Sequence, residues 1–215
     1  MFVRPCWRPR DPESAHDLID SDPWALLVSN GQDGPLATNL PLLLDRSKGP
    51  RGTLVGHIAR ANAHARVIAT QETPVLAVFH GPHSYVTPSW YPDRDMPGTY
   101  YYMAVHCYGR ITTQPEDDLE RWIHVLSDRM EAGVPEGWST REIPHSEITR
   151  RLPAILGFEI AIERLEAKFK LGQDEPKKDA MAVASRLAAS QDPAQRALAE
   201  AVADANAGRP EDESA

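Results

Sequence analysis

Short apolar runs, separated by turn residues, follow one another along most of the chain. Runs of this length that are rich in aliphatic, β-branched and aromatic residues are typical of β-strands, and Asn30-Gly31 and Asp33-Gly34 are typical of a hairpin turn. Six or seven strands at short spacing with few helices predict a barrel-like α+β domain. The predicted strands span residues 24–29, 36–44, 53–58, 75–79, 83–88, 99–112 and 155–162.

Apolar residues at helical spacing predict the helices that connect these strands. The clearest pattern lies between residues 116 and 131, where Leu119, Trp122, Ile123 and Leu126 share one face. Shorter helices are predicted over residues 12–22, 59–71 and 146–151.

The composition changes near residue 175. The proline and charged residues from Glu175 to Asp179 predict a linker, and the Ala-rich stretch 179–207 predicts helix. Residues 208–215 are predicted to be disordered. The sequence therefore predicts one domain over residues 1–174, followed by a docking or solvated helical tail over residues 175–215.

Tyrosine is concentrated between residues 81 and 109, in a chain that is only 7% aromatic. Tyr and Trp combine an apolar body with a hydrogen-bonding tip, which suits the wall of a small-molecule pocket. A half-buried pair of aromatic strands explains the same residues without a ligand. Tyr100 and Tyr102 share one face of the predicted strand and Tyr101 the other, so at most two of the three face one pocket.

Composition and charge argue against several classes of protein. The net charge of −8 and the pI near 5.5 argue against a surface that binds nucleic acid throughout. No apolar run reaches the roughly 20 residues of a membrane span, and Met1–Trp7 lacks the apolar core of a signal peptide. A cytoplasmic protein is expected. Cys6 and Cys107 form no CxxC pair and no zinc spacing, and Cys107 is expected to be a small core residue.

Four motifs resemble the PaiB-like family of FMN-binding proteins, many of which are described as negative transcriptional regulators. The resemblance implies a split β-barrel, usually a homodimer with its cofactor sites at the dimer interface. The motifs are Leu36-Ala-Thr-Asn-Leu-Pro41, Gly56-His-Ile-Ala-Arg-Ala-Asn62, Gly81-Pro-His-Ser-Tyr-Val-Thr-Pro-Ser-Trp-Tyr91, and Gly157-Phe-Glu-Ile160 followed by Phe169-Lys-Leu-Gly-Gln173.

Two departures from the family pattern fall where the family builds its cofactor pocket. Asn62-Ala-His-Ala65 stands where the family commonly has an Asn-Pro-Gln-Trp run, and Thr99-Tyr-Tyr-Tyr102 stands where it commonly has Thr-Trp-Asn-Tyr. Loss of the indole at Ala65 removes a large ring, which is enough to enlarge a pocket beside His64 or to change what fills it. In these two segments the chain resembles the piperazate synthases, a branch of the same family.

The second resemblance implies haem b as cofactor, with FMN as the alternative. It implies a haem-dependent enzyme that cyclises N5-hydroxy-L-ornithine to L-piperazic acid by intramolecular N–N bond formation with loss of water. The alternatives are an FMN-binding flavin oxidoreductase or negative transcriptional regulator, and a structural dimer without a cofactor. No helix-turn-helix with a basic recognition helix is apparent, which counts against a DNA-binding regulator.

The resemblance also implies a set of site residues. His64 is expected to be the axial ligand of the haem iron, with its other nitrogen on a backbone carbonyl, and a surface histidine on a helix is the alternative. The rival ligands are His57, His83 and His106. The predicted cofactor-binding residues are His57, Arg60, Asn62, His64, Lys170 and Gln173, with Arg60 and Lys170 as the cations for a propionate or phosphate. Tyr100, Tyr102 and His106 are the predicted catalytic residues, one of which would move a proton to the departing oxygen.

Overall fold

The computed structural model describes residues 1–70 and 73–210. In this part of the chain, six strands and six helices alternate with short 3₁₀ turns. The strands are β1 (Trp24–Gly31), β2 (Gly34–Asp45), β3 (Thr53–Ala59), β4 (Thr73–Val86), β5 (Thr99–Thr113) and β6 (Ile155–Lys170). The helices are α1 (Ser14–Ser21), α2 (Ala63–Ile68), α3 (Glu116–Glu131), α4 (His145–Thr149), α5 (Lys177–Ala188) and α6 (Pro193–Asn206).

The six strands form one antiparallel sheet in the order β1-β2-β3-β6-β5-β4, which closes into a barrel. The β1–β2 hairpin ends with Gly31 opposite Gly34. β2 pairs with β3 from Leu42 to Asp45, and β3 pairs with β6, with His57 opposite Gly157. The predicted α+β class and strand number are therefore confirmed.

The chain divides into two compact units, which we call the central unit and the terminal unit. The central unit comprises Ile19–Phe79 and His106–Leu165, and it contains β1, β2, β3, α2, α3 and α4. Its core consists of fully buried side chains that point inward from the strands. Phe79, Phe158, Leu27, Leu42 and Ile160 are among its largest members.

The terminal unit comprises Met1–Leu18, His80–Val105 and Glu166–Ala215. It holds α1 in part, α5, α6 and the ends of β4, β5 and β6. Small apolar residues at helical spacing on α5 and α6 are buried because the two helices pack against each other. These residues are Ala180, Val183, Ala184, Leu187, Leu198, Ala199 and Val202.

The predicted linker is wrong as a description of residues 175–179. Glu175 and Asp179 are both buried, and α5 begins at Lys177. Arg209 donates hydrogen bonds to the carbonyl oxygens of Gly172 (3.1 Å) and Glu175 (2.8 Å), which fastens the end of the tail to the turn before α5. A prediction from composition is wrong here because charged residues are usually solvated, whereas these two are buried. Disorder is predicted for residues 208–215, of which 211–215 lie outside the described residues.

Other boundaries also differ from the prediction. The separate strands predicted at 75–79 and 83–88 are one strand, β4, because a proline interrupts a strand only where its missing N–H was needed for pairing. α2 begins only after its cap at Asn62, and Gln71, the predicted end of this helix, lies outside the described residues. β6 continues to Lys170, well past the predicted end at Ile162. No helix of the described residues is long and apolar enough to cross a membrane.

Candidate functional site

His64 lies at the centre of a buried polar cluster in the central unit. The side-chain oxygen of Asn62 accepts a hydrogen bond from the backbone N–H of His64 (2.9 Å) and so caps α2. Nε2 of His64 lies 2.8 Å from the Ser29 hydroxyl, and Nδ1 lies 3.0 Å from the Thr38 hydroxyl. Only 1% of His64 is exposed. We call Ser29, Thr38 and His64 the histidine–hydroxyl cluster.

The strand register explains why these two hydroxyls meet one ring. Ser29 follows Ala25 and Leu27 at alternate positions of β1, so all three point to the core. Thr38 lies directly opposite Leu27 on β2 and therefore presents its side chain on the same face. One imidazole on α2 thus bridges two neighbouring strands.

Burial lowers the pKa of His64 because the charged imidazolium would lose its hydration. The ring is therefore neutral at pH 7, with one donor and one acceptor nitrogen. Each hydroxyl can play the complementary role. The cluster is thus internally satisfied, which differs from the expected arrangement with one nitrogen on a backbone carbonyl.

Arg60 precedes α2 and Arg66 lies in its last turn, and neither has a counter-ion in the part of the chain that the structure describes. The side chains of Arg60 and Arg66 are exposed, and neither makes an ion pair or a side-chain hydrogen bond within the described residues. The backbone N–H of Arg60 donates to the carbonyl oxygen of Ala154 (2.9 Å), which fixes the main chain at this position. The exposed guanidinium group of Arg60, on a main chain fixed in this way, is available to pair with a phosphate or carboxylate.

The remaining histidines lie in different surroundings. His57 on β3 is half-buried and burial lowers its pKa, so its ring is neutral as well. His106 on β5 is half-buried, and its ring meets Tyr108 edge-on, with 6.2 Å between the ring centroids. His83, in the terminal unit, is exposed, with Nδ1 3.4 Å from the carbonyl oxygen of Gly81. No three His, Cys, Asp or Glu side chains in residues 1–70 and 73–210 are grouped to hold a metal ion.

The tyrosines of β5 alternate in burial as expected for a strand. Tyr101 is fully buried, Tyr102 is half-buried and Tyr100 is 56% exposed. The ring of Tyr100 packs on Tyr85 at 5.6 Å between centroids. Tyr101 donates a hydrogen bond of 2.5 Å to the buried carboxylate of Glu175. Of the three, the buried Tyr101 serves packing and the other two are accessible to a ligand.

Lys170 and Gln173, the two residues predicted from the Phe169–Gln173 motif, differ in whether their side chains are available to a ligand. Lys170 donates to the hydroxyl of Thr99 and lies 5.9 Å from the ring centroid of Trp7. Gln173 is buried. Its side-chain oxygen accepts from the N–H of Leu171 (2.7 Å), and its amide donates to the carbonyl oxygen of Phe169 (2.7 Å). Gln173 therefore closes its own turn, whereas Lys170 can still bind an anion.

Sequence reasoning did not single out several of these residues. Ser29 carried a signal, because it is a polar residue at the inward position of an otherwise apolar strand pattern. Thr38 stood inside a recognised motif without being chosen. Glu175 carried no signal, because only the fold brings it to Tyr101. Cys107 is a buried core residue as predicted, and burial raises the pKa of its thiol to about 12.

Comparison with known proteins places this geometry in a family. The model of the "Putative FMN-binding domain" family matches residues 1–164. The chain is 28% identical to the protease synthase and sporulation protein PAI 2 of Bacillus subtilis, over 95% of this chain and 97% of that protein.

Two solved structures share the fold at low sequence identity. The FAD- and heme-binding protein of Mycobacterium smegmatis superposes with a TM-score of 0.59 at 20% identity, covering 76% of this chain and 73% of that one. The flavocytochrome Anf3 of Azotobacter vinelandii gives a TM-score of 0.57 at 14% identity, covering 76% and 69%. The six-stranded sheet of this chain thus has the fold of flavin-binding split barrels.

Proposed function

We propose that this chain, which belongs to the FMN-binding domain family, binds FMN and acts as a PaiB-like flavin oxidoreductase. The family match carries the proposal, because it spans residues 1–164 and so includes almost all of the central unit. The names of the two structural neighbours, an FAD- and heme-binding protein and a flavocytochrome, are compatible with a flavin and equally with haem, so the choice of FMN rests on the family match alone.

The residues around α2 fit the demands of FMN. A flavin phosphate needs cations, and Arg60 and Arg66 are exposed guanidinium groups without partners in the described part of the chain. Asn62 uses its side-chain oxygen in the helix cap, so its amide N–H groups remain for a neutral hydrogen bond. Bound flavin supplies hydride or electron transfer. Within the protein, Arg60 would bind the phosphate and the neutral His64 would add no charge beside the cofactor.

The absorbance spectrum of the purified protein tests this proposal first. We expect the two visible bands of oxidised flavin and no Soret band. Arg60→Gln should weaken FMN binding by roughly 10- to 100-fold, since a charge-assisted pair with phosphate is lost. Arg150→Gln removes the same charge from an exposed ion pair with Glu147 in the same unit and should leave FMN affinity unchanged. Equal affinity of both variants would show that Arg60 does not contact the phosphate.

A second candidate is the haem-dependent piperazate synthase, which one observation favours. Burial keeps the imidazole of His64 neutral, and only a neutral nitrogen can bind iron. Both ring nitrogens are engaged by hydroxyls, so iron ligation requires that the ring give up its bond to Ser29 or to Thr38. In this candidate, haem supplies a Lewis acid for N–O bond cleavage. His106, which lies in the same unit as His64, would deliver the proton to the departing oxygen.

Spectrum and substrate together separate the two candidates. A Soret band in the purified protein, lost in His64→Ala, and conversion of N5-hydroxy-L-ornithine to L-piperazic acid would establish the cyclase. Flavin bands, together with no conversion of this substrate, would support the FMN-binding oxidoreductase instead. The homodimer implied by the family resemblance remains a proposal for either candidate, and sedimentation equilibrium of the purified chain tests it. Tight sequence-specific DNA binding would instead favour a regulator.

A further inference from the structure

The first seven residues are fastened along the terminal unit by ion pairs. The N-terminal ammonium group of Met1 pairs with the carboxylate of Glu166. Arg4 and the indole N–H of Trp7 both donate to the carboxylate of Asp174, at 3.0 and 3.1 Å. Trp7 is buried as a result. This anchoring places the Trp7 ring over the last residues of β6.

Lys168 points its ammonium group at three aromatic rings instead of at a carboxylate. Its Nζ atom lies 4.4 Å from the ring centroid of Trp7, 5.2 Å from that of Tyr102 and 5.9 Å from that of Phe2. The residue is half-buried. Within the described residues it has no hydrogen-bond or ion-pair partner. Cation–π contacts hold the ammonium in place but leave its N–H donors available.

Two more cations approach the same indole ring. Lys170 is two residues further along β6 and so extends from the same face of the strand, with Nζ 5.9 Å from the Trp7 centroid. The guanidinium carbon of Arg4 lies 5.2 Å from this centroid. Three positive charges therefore surround Trp7. We call Arg4, Trp7, Lys168 and Lys170 the cation cluster.

The acids nearby neutralise the cluster only in part. Asp174 pairs with Arg4, and Glu166 pairs with the N-terminal ammonium. Glu175 is buried, accepts from Tyr101 and interacts electrostatically with Lys170, whereas no acid within the described residues pairs with Lys168. Lys168 thus retains its positive charge, beside Lys170 and Arg4, in a chain whose net charge is −8. The like charges around the Trp7 ring repel one another, and a bound anion would relieve the repulsion.

We propose that the cation cluster is a binding site for the phosphate or carboxylate group of a small anionic ligand. The ammonium groups would donate hydrogen bonds to its oxygens, with Lys168 as the principal contact. Aromatic packing and the Thr99 hydroxyl already hold the two lysine side chains, so little rotamer freedom is lost on binding. The site does not depend on which cofactor the central unit binds.

Isothermal titration of the full-length protein, as purified with its cofactor, tests the proposal. Inorganic phosphate and acetate serve as separate probes at constant ionic strength, and their ranking distinguishes a phosphate site from a carboxylate site. Binding of at least one probe is expected in the millimolar range. Lys168→Met keeps the apolar stem and removes the charge, and it should weaken this binding at least about tenfold. Lys168→Arg should restore most of it.

Lys178→Met is the matched control, because Lys178 carries the same charge on the exposed surface of the same unit, paired with Asp93. It should bind the probes as the wild type does. The proposal is overturned if neither probe binds, or if the two methionine variants lose affinity equally, which would indicate a general effect of net charge. Unchanged cofactor absorbance and thermal melting of Lys168→Met will show that any loss of binding is local and independent of the cofactor.

Discussion

The buried imidazole of His64 joins α2 to two strands, so its removal tests the packing of the central unit. His64→Ala leaves the hydroxyls of Ser29 and Thr38 without their shared partner and opens a cavity. We expect a loss of about 2–4 kcal/mol in the free energy of unfolding, measured by urea denaturation. Arg66→Ala, on the exposed side of the same short helix, should cost less than about 0.5 kcal/mol. Equal losses in the two variants would contradict a central role for the cluster.

The same residue gives the protein a dependence on pH with a definite sign. Burial lowers the pKa of His64 below its usual value of 6.5, so the unfolded chain takes up a proton before the folded chain does. This contribution to stability is present above pH 6.5 and is lost as the pH falls through the folded pKa. His57 acts in the same direction. His64→Gln should flatten the decrease in stability on acidification, and an unchanged pH profile would rule out this source.

Asp179 contributes in the opposite direction. It is 1% exposed, and its Oδ1 atom has no hydrogen-bond partner among the described residues. Burial raises the pKa of this carboxyl, so its contribution is present below the unfolded pKa and is lost as the pH rises through the folded one. Asp179→Asn should therefore stabilise the protein at pH 7.5 by about 1 kcal/mol. The gain should disappear in acid, which thermal melts at two pH values will show.

At the scale of elements, the tail behaves as part of a folded unit. Leu198 on α6 is fully buried, whereas Glu200 on the same helix is exposed. Leu198→Ala should cost about 2–4 kcal/mol in urea denaturation, and Glu200→Ala should cost almost nothing. A solvated helix joined by a linker would predict no difference between the two variants.

Elements that local pattern alone determines were predicted well. The helical spacing of Leu119, Trp122 and Ile123 predicts a helix whose bounds agree with those of α3. The two turn signals predict the β1–β2 hairpin at its observed position. Predictions failed where long-range contacts decide. β6 continues to Lys170 through charged residues whose partners, such as Met1 and Trp7, come from the other end of the chain.

In the candidate site, too, local sequence pattern predicts some features and long-range contacts determine the others. The Gly56–Asn62 motif drew attention to the neighbouring His64, whose role as a ligand stays a prediction. The burial of His64 against Ser29 follows from the strand register and from no local signal. Gln173 was chosen for its motif and is occupied by its own turn. Lys168 was passed over because its significance depends on Trp7, which lies far away in sequence. The motifs indicated which segments form the candidate site. The role of a single side chain within a segment depends on its tertiary contacts.

For the whole molecule, a shared fold at 20% sequence identity does not identify the ligand. A measurement of ligand binding to the folded protein does. A ligand that binds only the folded state stabilises it by mass action. FMN at about 100 times its dissociation constant should therefore add roughly 2.7 kcal/mol to the stability of the cofactor-free protein. Thermal melts in the presence of FMN will measure this gain. It should be smaller in Arg60→Gln, and a gain with haemin but none with FMN would transfer the assignment to the haem candidate.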